Sequence, residues 1–289
     1  MRTDARIADL VARRQPFVHA TVVRAESPTS ARTGDEGVVL GDGTIDGFVG
    51  GQCARNSVRE AAIEALREGE PVLLRVLPDG APDFPDVPGA RVVVNPCLSG
   101  GALEIFLQPT LPPPRLVVAG DNPIADALTE LAGPLGFEVT RAEPEPSAAD
   151  AEVVVIASLG GDEPARIRAA LDSGAGYIGL VASTIRGADV LGRLDLDVAE
   201  RSRIHTPAGL PIGARTPAEI ALAVLAEIVR ETRNVSHRPV PAEPTSSIDP
   251  VCGMSVVPGP DAVAADVDGV TVWFCGPGCR DRYVREHAR

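Results

Sequence analysis

The sequence predicts an α/β protein in three parts: an N-terminal α+β domain, a central Rossmann-like doubly wound parallel sheet, and a small C-terminal cysteine-rich module of a β-hairpin and a helix. Three observations carry that expectation. Short β-branched runs alternate with helically spaced apolar residues between Leu116 and Arg230, the pattern of a parallel sheet. Two proline-rich breaks interrupt the chain, at Pro109–Pro114 and between Arg238 and Pro250. The last stretch holds three of the five cysteines. The boundaries that follow are 1–110 and 115–232 for the two larger domains, 233–248 for a semi-extended linker, and 249–289 for the cysteine module. A chain of 289 residues is long enough for that division.

In the first domain, Ile7, Leu10 and Val11 suggest an opening helix, and His19–Val23 reads as a β-branched strand. A glycine-rich stretch, read as loop, runs from Gly34 to Gly51. It breaks into a helix over Ser57–Leu66, whose apolar positions 58, 62, 63 and 66 share a face and which Gly69 ends. Val72–Leu77, Arg91–Val94 and Leu103–Leu107 read as strands. In the second domain, Leu116–Ala119, Phe137–Thr140, Val153–Ile156 and Tyr177–Val181 are strands. Helices are expected over Ile124–Leu131, started by Pro123, over Arg166–Leu171, and over Ala218–Arg230. In the tail, Val263–Val267 turns through Asp268-Gly269 into Val270–Phe274, and a short helix begins near Arg280.

Composition narrows the function. The net charge of −13 argues against a nucleic-acid or anionic-membrane partner. All 27 basic residues are arginine, which removes P-loop and Schiff-base lysine chemistry. No apolar run approaches the roughly 20 residues of a membrane span, and the polar start shows no signal peptide, so a cytoplasmic protein is expected. Five cysteines, an odd number, point to metal or sulfur chemistry rather than a disulfide scaffold.

Two places in the larger domains invite a ligand. Gly120-Asp121-Asn122-Pro123 occupies the position of a dinucleotide-binding turn, with Glu143 as the acidic residue expected near the end of the second strand. Only the first glycine of that fingerprint is present; Asn122 replaces the second, and Asp121 would repel a phosphate. The turn is therefore either structural, with Asp121 capping the helix, or an intact nicotinamide site, or a site for some other phosphate-bearing ligand at the helix start. In the first domain, Cys53 follows Gly50-Gly51-Gln52 immediately before a helix, and Cys97 precedes Gly100-Gly101. Glycines and a helix N-terminus supply N–H groups and a dipole end that lower a thiol's pKa. Either cysteine alone reads as a buried hydrophobe, whereas two, each beside Gly-Gly, suggest a shared site.

These residues resemble the XdhC/CoxI family, accessory proteins of xanthine dehydrogenase and carbon monoxide dehydrogenase. The family's opening strand is similar to Ala20-Thr21-Val22-Val23, its serine-proline loop to Ser27–Gly34, and its Gly-Gly-Cys loop to Gly50–Cys53 with one residue inserted. Its later Cys-Gly-Gly element resembles Ser99-Gly100-Gly101, with the cysteine displaced to Cys97. Tyr177–Leu180 and Thr206–Ala221 match its closing signature. Arg55 and Asn56 stand near the place of a family glutamate, and Ala157-Ser158 near that of a threonine-histidine pair. The resemblance implies a maturation factor that binds molybdenum cofactor transiently, works with a cysteine desulfurase to sulfurate it, and hands it to a molybdenum hydroxylase apoenzyme, of the carbon monoxide dehydrogenase kind. Cys53 and Cys97 would handle cofactor or sulfur. Gly50, Gly51, Gly100, Gly101, Gly120, Asn122 and Glu143 would line the cofactor.

In the tail, about 40 residues cannot secure a fold without help, so a structural metal is expected. Cys252, Cys275 and Cys279 supply thiolates that suit copper(I) or zinc, and the neighbouring Met254 thioether leans toward copper(I). Asp249–Met254 and Trp273–Cys279 resemble a YHS domain, a TRASH-like metal-binding module. His287 is eight helical steps from Cys279, too far to complete the set. Two other readings stay open: a nucleotide-dependent oxidoreductase, and a metal sensor or scavenger. Whether the chain is itself an enzyme, and whether it forms a homo-oligomer, the sequence leaves undecided.

Overall fold

Alternating apolar residues build the first sheet. The computed structural model of the protein describes residues 3–78, 89–95, 101–142, 151–158, 160–234, 246–258, 262–267 and 269–287. Contacts divide the chain into two units, Met1–Pro112 together with Arg238–Arg289, and Pro113–His237. In the first unit, helix α1 (Thr3–Ala12) buries Leu10 against β1 (Phe17–Glu26) and β2 (Glu36–Leu40), and β3 (Ile45–Gly47) follows. Helix α2 (Gln52–Glu68) leads to β4 (Val72–Pro78), β5 (Ala90–Asn95) and β6 (Ala102–Thr110). The strand order is β3-β2-β1-β6-β4-β5, antiparallel except for the β4–β5 pair. One face of the sheet packs Val18, Ala20, Val22, Leu74, Ile105 and Leu107 against Ala54, Val58, Ala61, Ala62 and Ala65 of α2. The small residues of α2 let the helix sit close to the strands.

Two expectations are corrected here. The glycine-rich stretch holds β2 and β3, because Val38, Val39, Leu40 and Ile45 bury themselves against their neighbours despite the glycines between them. Helix α2 begins at Gln52 rather than Ser57, so Cys53 lies inside its first turn and not ahead of it.

The second unit is an α/β layer with a five-stranded parallel sheet, as the alternation predicts. Its strands are β7 (Arg115–Ala119), β8 (Glu138–Ala142), β9 (Val153–Ile156), β10 (Tyr177–Leu180) and β11 (Ile204–His205), in the order β11-β10-β9-β7-β8. Helices α3 (Pro123–Ala132) and α7 (Pro217–Asn234) cover one face, where Leu116, Val118, Val153 and Val155 meet Leu128, Val224 and Ile228. Helices α4 (Glu163–Asp172) and α5 (Thr184–Gly192) cover the other, where Val117, Val154 and Ile156 meet Ile167, Ala170 and Val190. The sheet is thus doubly wound. Helices α5 and α6 (Val198–Ser202) and strand β11 escape the sequence reading, being short and weakly periodic.

Strand order reverses between β7 and β9, so the carboxyl ends of those strands form the switch-point crevice of such a sheet. At the far side, Tyr177 donates its buried hydroxyl to Glu227 Oε2 at 2.7 Å, and the same oxygen accepts from the N–H of Gly209 at 2.8 Å. The ring of His205 stacks on Tyr177 at 4.4 Å. The segment after β11 is therefore tied to α7. Burial, with the Glu227 carboxylate beside it, holds the Tyr177 hydroxyl protonated well above its ordinary range.

The C-terminal segment of the first unit consists of two hairpins and a helix. They are β12 (Ser247–Ile248) with β13 (Ser255–Val256), β14 (Val263–Val267) with β15 (Val270–Phe274), and α8 (Pro277–His287). Helix α8 starts at Pro277, three residues before the expected place, which puts Cys279 in its first turn. Phe274 and Tyr283 pack with ring centroids 5.4 Å apart.

Candidate functional site

The turn after β7 is closed by the protein's own groups. Gly120 has φ +139, and a Cβ there would lie 2.4 Å from the carbonyl oxygen of Ala157, so only glycine lets β7 and β9 approach this closely. The cap of α3 is Asn122, not Asp121: its Oδ1 accepts from the N–H groups of Ile124 at 3.0 Å and Ala125 at 3.1 Å. Its Nδ2 donates to the carbonyl of Ala157. Pro123 has no N–H, and Asp126 N–H is bonded to the carbonyl of Asn122, so the first turn has spent its donors inside the protein. Arg141, on β8, donates to the carbonyl of Gly120 at 2.7 Å and to Asp126 Oδ1 at 3.0 Å. The exposed Asp121 lies 3.9 Å from the same guanidinium. A phosphate here would have to displace Asn122. Glu143 lies outside the described residues.

The amino end of α2 is built differently. Its N-cap is Gly51, which has no side chain to bond the first N–H groups. Gln52, Cys53 and Ala54 form the first turn. The loop Ser27–Arg32 and Gly101 meet the same region: a Cβ on Gly101 would lie 2.2 Å from the carbonyl oxygen of Pro28, and one on Gly51 would lie 3.8 Å from Ser30 Oγ. A Cβ on Gly50 would press on Ala54 and Leu103. The serine-proline loop, Gly50-Gly51 and Gly101, read as separate motifs, therefore share one corner of the first unit. Cys97 and Gly100 lie outside the described residues, and Cys53 is described by its place in the helix alone.

The tail brings its three cysteines together. Cys252 Sγ lies 3.5 Å from Cys275 Sγ, which lies 3.6 Å from Cys279 Sγ. The fourth member is one the sequence reading missed. Asp249 is fully buried, and its ligand oxygen and the three sulfurs all lie within 4.8 Å of one another. Its Oδ2 accepts from Cys275 N–H and its Oδ1 from Val251 N–H, each at 2.8 Å, so the carboxylate orients both cysteine loops. Burial pushes the carboxyl up, but those two N–H donors outweigh it and hold Asp249 below the ordinary carboxylate range. Burial, with the nearby Asp249 charge adding to it, pushes the Cys279 thiol up to about 12. A buried anion beside three sulfurs is the setting in which a cation is most stabilising. The signal for Asp249 was its place before Pro250, three residues from Cys252, where an Asx turn brings a carboxylate back onto its own loop. His287 stacks on Tyr283 at 3.9 Å and its Nδ1 lies 2.9 Å from the Tyr283 carbonyl, away from the cysteines.

Two sequence matches bear on these sites. Residues 10–76 match the XdhC and CoxI family, and residues 116–228 match the XdhC Rossmann domain. The chain is 30% identical over 251 residues to "Uncharacterized protein YqeB" of Escherichia coli (strain K12), covering 76% of this chain and 44% of that protein. It thus spans less than half the length of that relative. Among solved structures it is similar to one titled a xanthine dehydrogenase from Bacillus halodurans, at 16% identity and a TM-score of 0.39, over 84% of this chain and 98% of that one. No helix among the described residues is long and apolar enough to cross a membrane.

Proposed function

We propose that this chain, a member of the XdhC and CoxI family through residues 10–76 and 116–228, is an accessory protein that prepares the molybdenum cofactor of a molybdenum hydroxylase. The observation that carries the reading is the position of Cys53. It sits in the first turn of a 17-residue helix whose glycine N-cap brings no side chain, beside the serine-proline loop and Gly101. Helix N-termini favour a thiolate. A thiolate here attacks a donor persulfide: the donor's S–S bond breaks, a new S–S bond forms on Cys53, and the donor leaves as a thiolate. The same sulfur can instead ligate molybdenum directly. Molybdenum cofactor is the cargo, a cysteine desulfurase the sulfur donor, and a hydroxylase of the carbon monoxide dehydrogenase kind the client.

The tail adds a metal module. Two sulfurs on one tetrahedral ion at about 2.3 Å lie about 3.8 Å apart, close to the 3.5 and 3.6 Å between these thiols. Cys252, Cys275 and Cys279 would supply soft donors, and Asp249 an oxygen. Three sulfurs accept zinc or copper(I); the carboxylate tips the set toward zinc.

The test is client activation in a strain whose chromosomal copy is replaced by Cys53→Ser. The expected result is loss of active client with unchanged levels of a folded variant. Normal client activity with Cys53→Ser would overturn the sulfur-handling role. Metal analysis of the purified full chain, with zinc and copper(I) competition, tests the module independently.

A further inference from the structure

Helix α2 points one buried amide at the C-terminal segment. Asn56 is 3% exposed. Its Nδ2 donates to the carbonyl of Ser255, and its Oδ1 accepts from the N–H of Val257 at 3.3 Å. A carbonyl and the N–H two residues on are the pair that a neighbouring parallel strand would engage, so the amide takes the place of a strand along β13. Val256 and Val257 are 1% and 2% exposed, so the segment is packed as well as hydrogen-bonded. Leaving a buried amide without such partners is costly, which makes this contact specific.

The two ends of this contact matter. Strand β13 begins directly after the turn 249–254, which Asp249 N–H closes on the carbonyl of Met254 at 2.8 Å. That turn carries Asp249 and Cys252, two of the four clustered donors. On α2, Asn56 stands three residues after Cys53, and residues three apart on a helix are surface neighbours. One short segment therefore runs from the cysteine cluster to the first turns of the Cys53 helix.

We infer that Asn56 is a latch coupling metal occupancy of the cysteine cluster to helix α2. The inference rests on the reading that the cluster binds a metal. An ion held by Asp249, Cys252, Cys275 and Cys279 fixes the 249–257 segment in the shape that Asn56 grips, so the ordering cost of docking is met by the metal. The coupling is reciprocal: the factor by which metal tightens docking is the factor by which docking tightens metal binding. Metal binding in the tail and the order of α2 around Asn56 are then linked through this one contact.

Zinc is the probe, used with the full chain, with Asn56→Leu, and with Val257→Pro, which removes the N–H from the tail side. Two readouts are paired: zinc affinity by competition, and hydrogen exchange of the amides of residues 55–59. In the unaltered chain zinc should slow that exchange on the order of 5- to 100-fold. Both variants should still bind one zinc, with affinity reduced by a similar factor, and should lose the zinc-dependent protection. Having the variants on opposite sides of the contact guards against misfolding of either one. Zinc binding with no protection in the unaltered chain, or equal protection in a folded variant, would overturn the latch while leaving the metal site standing. Failure of the unaltered chain to bind zinc or copper(I) would overturn the metal reading and the latch with it.

Discussion

Helices α2 and α3 both begin after a glycine turn, and their first turns are finished in opposite ways. At α3 the residue after Gly120-Asp121 is an asparagine whose oxygen takes two N–H groups and whose amide reaches across to Ala157. Proline removes a third donor. At α2 the cap is a glycine with no side chain, and the second helical residue is Cys53. A glycine turn thus foretells a helix start, whereas the residue at the cap decides whether a side chain closes it: Asn122 does so at α3, and Gly51 has none to offer at α2. The sealed start belongs to the scaffold. Each of the following experiments bears on that contrast or on the cluster of Asp249 with the three tail cysteines.

The largest effect is expected in the tail. Cys275→Ser with Cys279→Ser removes two of three sulfurs, and the remaining thiol and carboxylate should hold zinc at least a hundredfold more weakly. Because the segment lacks a large core of its own, its amides should then exchange as they do after chelation. Retention of full zinc affinity by this double variant would mean that the sulfurs are packing residues. Next in size is Asn122→Ala, which deletes the α3 cap and the bond to Ala157. The second unit should lose about 1–2 kcal/mol, read by denaturant unfolding. Client activation should persist at a temperature where the variant stays folded. Loss of activation without loss of stability would instead reopen the Gly120 turn as a ligand site.

A smaller effect concerns pH. Burial holds His205 below its ordinary value, against the pull of Glu227 and Glu231 and with Arg230 and Arg201 adding to the burial effect. Its folded pKa therefore lies below that of the unfolded chain, about 6.5. Below that value the unfolded chain takes up a proton that the folded chain refuses, so the second unit loses stability as pH falls from about 6.5 through the folded value, and none of this cost remains above it. His205→Phe, which can keep the stack on Tyr177, should flatten that limb of the stability profile. An unchanged profile would show that other groups set it.

The parallel sheet was legible because its strands are short apolar runs between helices, and periodicity survives in Val117–Ala119 and Val153–Ile156 without any long-range information. The cysteine knuckle was legible from its spacing. What escaped depends on partners distant in sequence. Asn122 and Asp121 are both good cap residues, and only the Ala157 carbonyl, 35 residues on, decides between them. Asp249 carries no metal-ligand spacing of its own, and only its bond from the Cys275 N–H, 26 residues on, brings its carboxylate to the sulfurs. Asn56 looked like a gap in a motif and became the buried partner of Ser255 and Val257, about 200 positions away. β2 and β3 escaped because glycine suppresses strand propensity while burial overrides it.

The smallest effect on stability is the sharpest test of the contrast. Gly51→Asn would give α2 the cap that α3 already has. The backbone at Gly51, φ −66 and ψ 175, is extended and open to any residue, and the nearest atom to a Cβ there is Ser30 Oγ at 3.8 Å, so a Cβ meets no clash. Replacing a glycine cap by asparagine changes stability by only a few tenths of a kcal/mol, in the favourable direction. Its oxygen would accept from the N–H of Cys53 or Ala54, as Asn122 does from Ile124 and Ala125, and draw those donors away from a thiolate at position 53. The variant should therefore be slightly more stable, yet Cys53 should react several-fold more slowly with iodoacetamide at neutral pH, and client activation should fall with it. Peptide mass spectrometry reads the alkylation at Cys53 separately from the tail cysteines. If Gly51→Asn stabilises the helix but leaves both the alkylation rate and client activation unchanged, the glycine cap of α2 has no part in the reactivity of Cys53, and the difference between α2 and α3 is one of architecture alone.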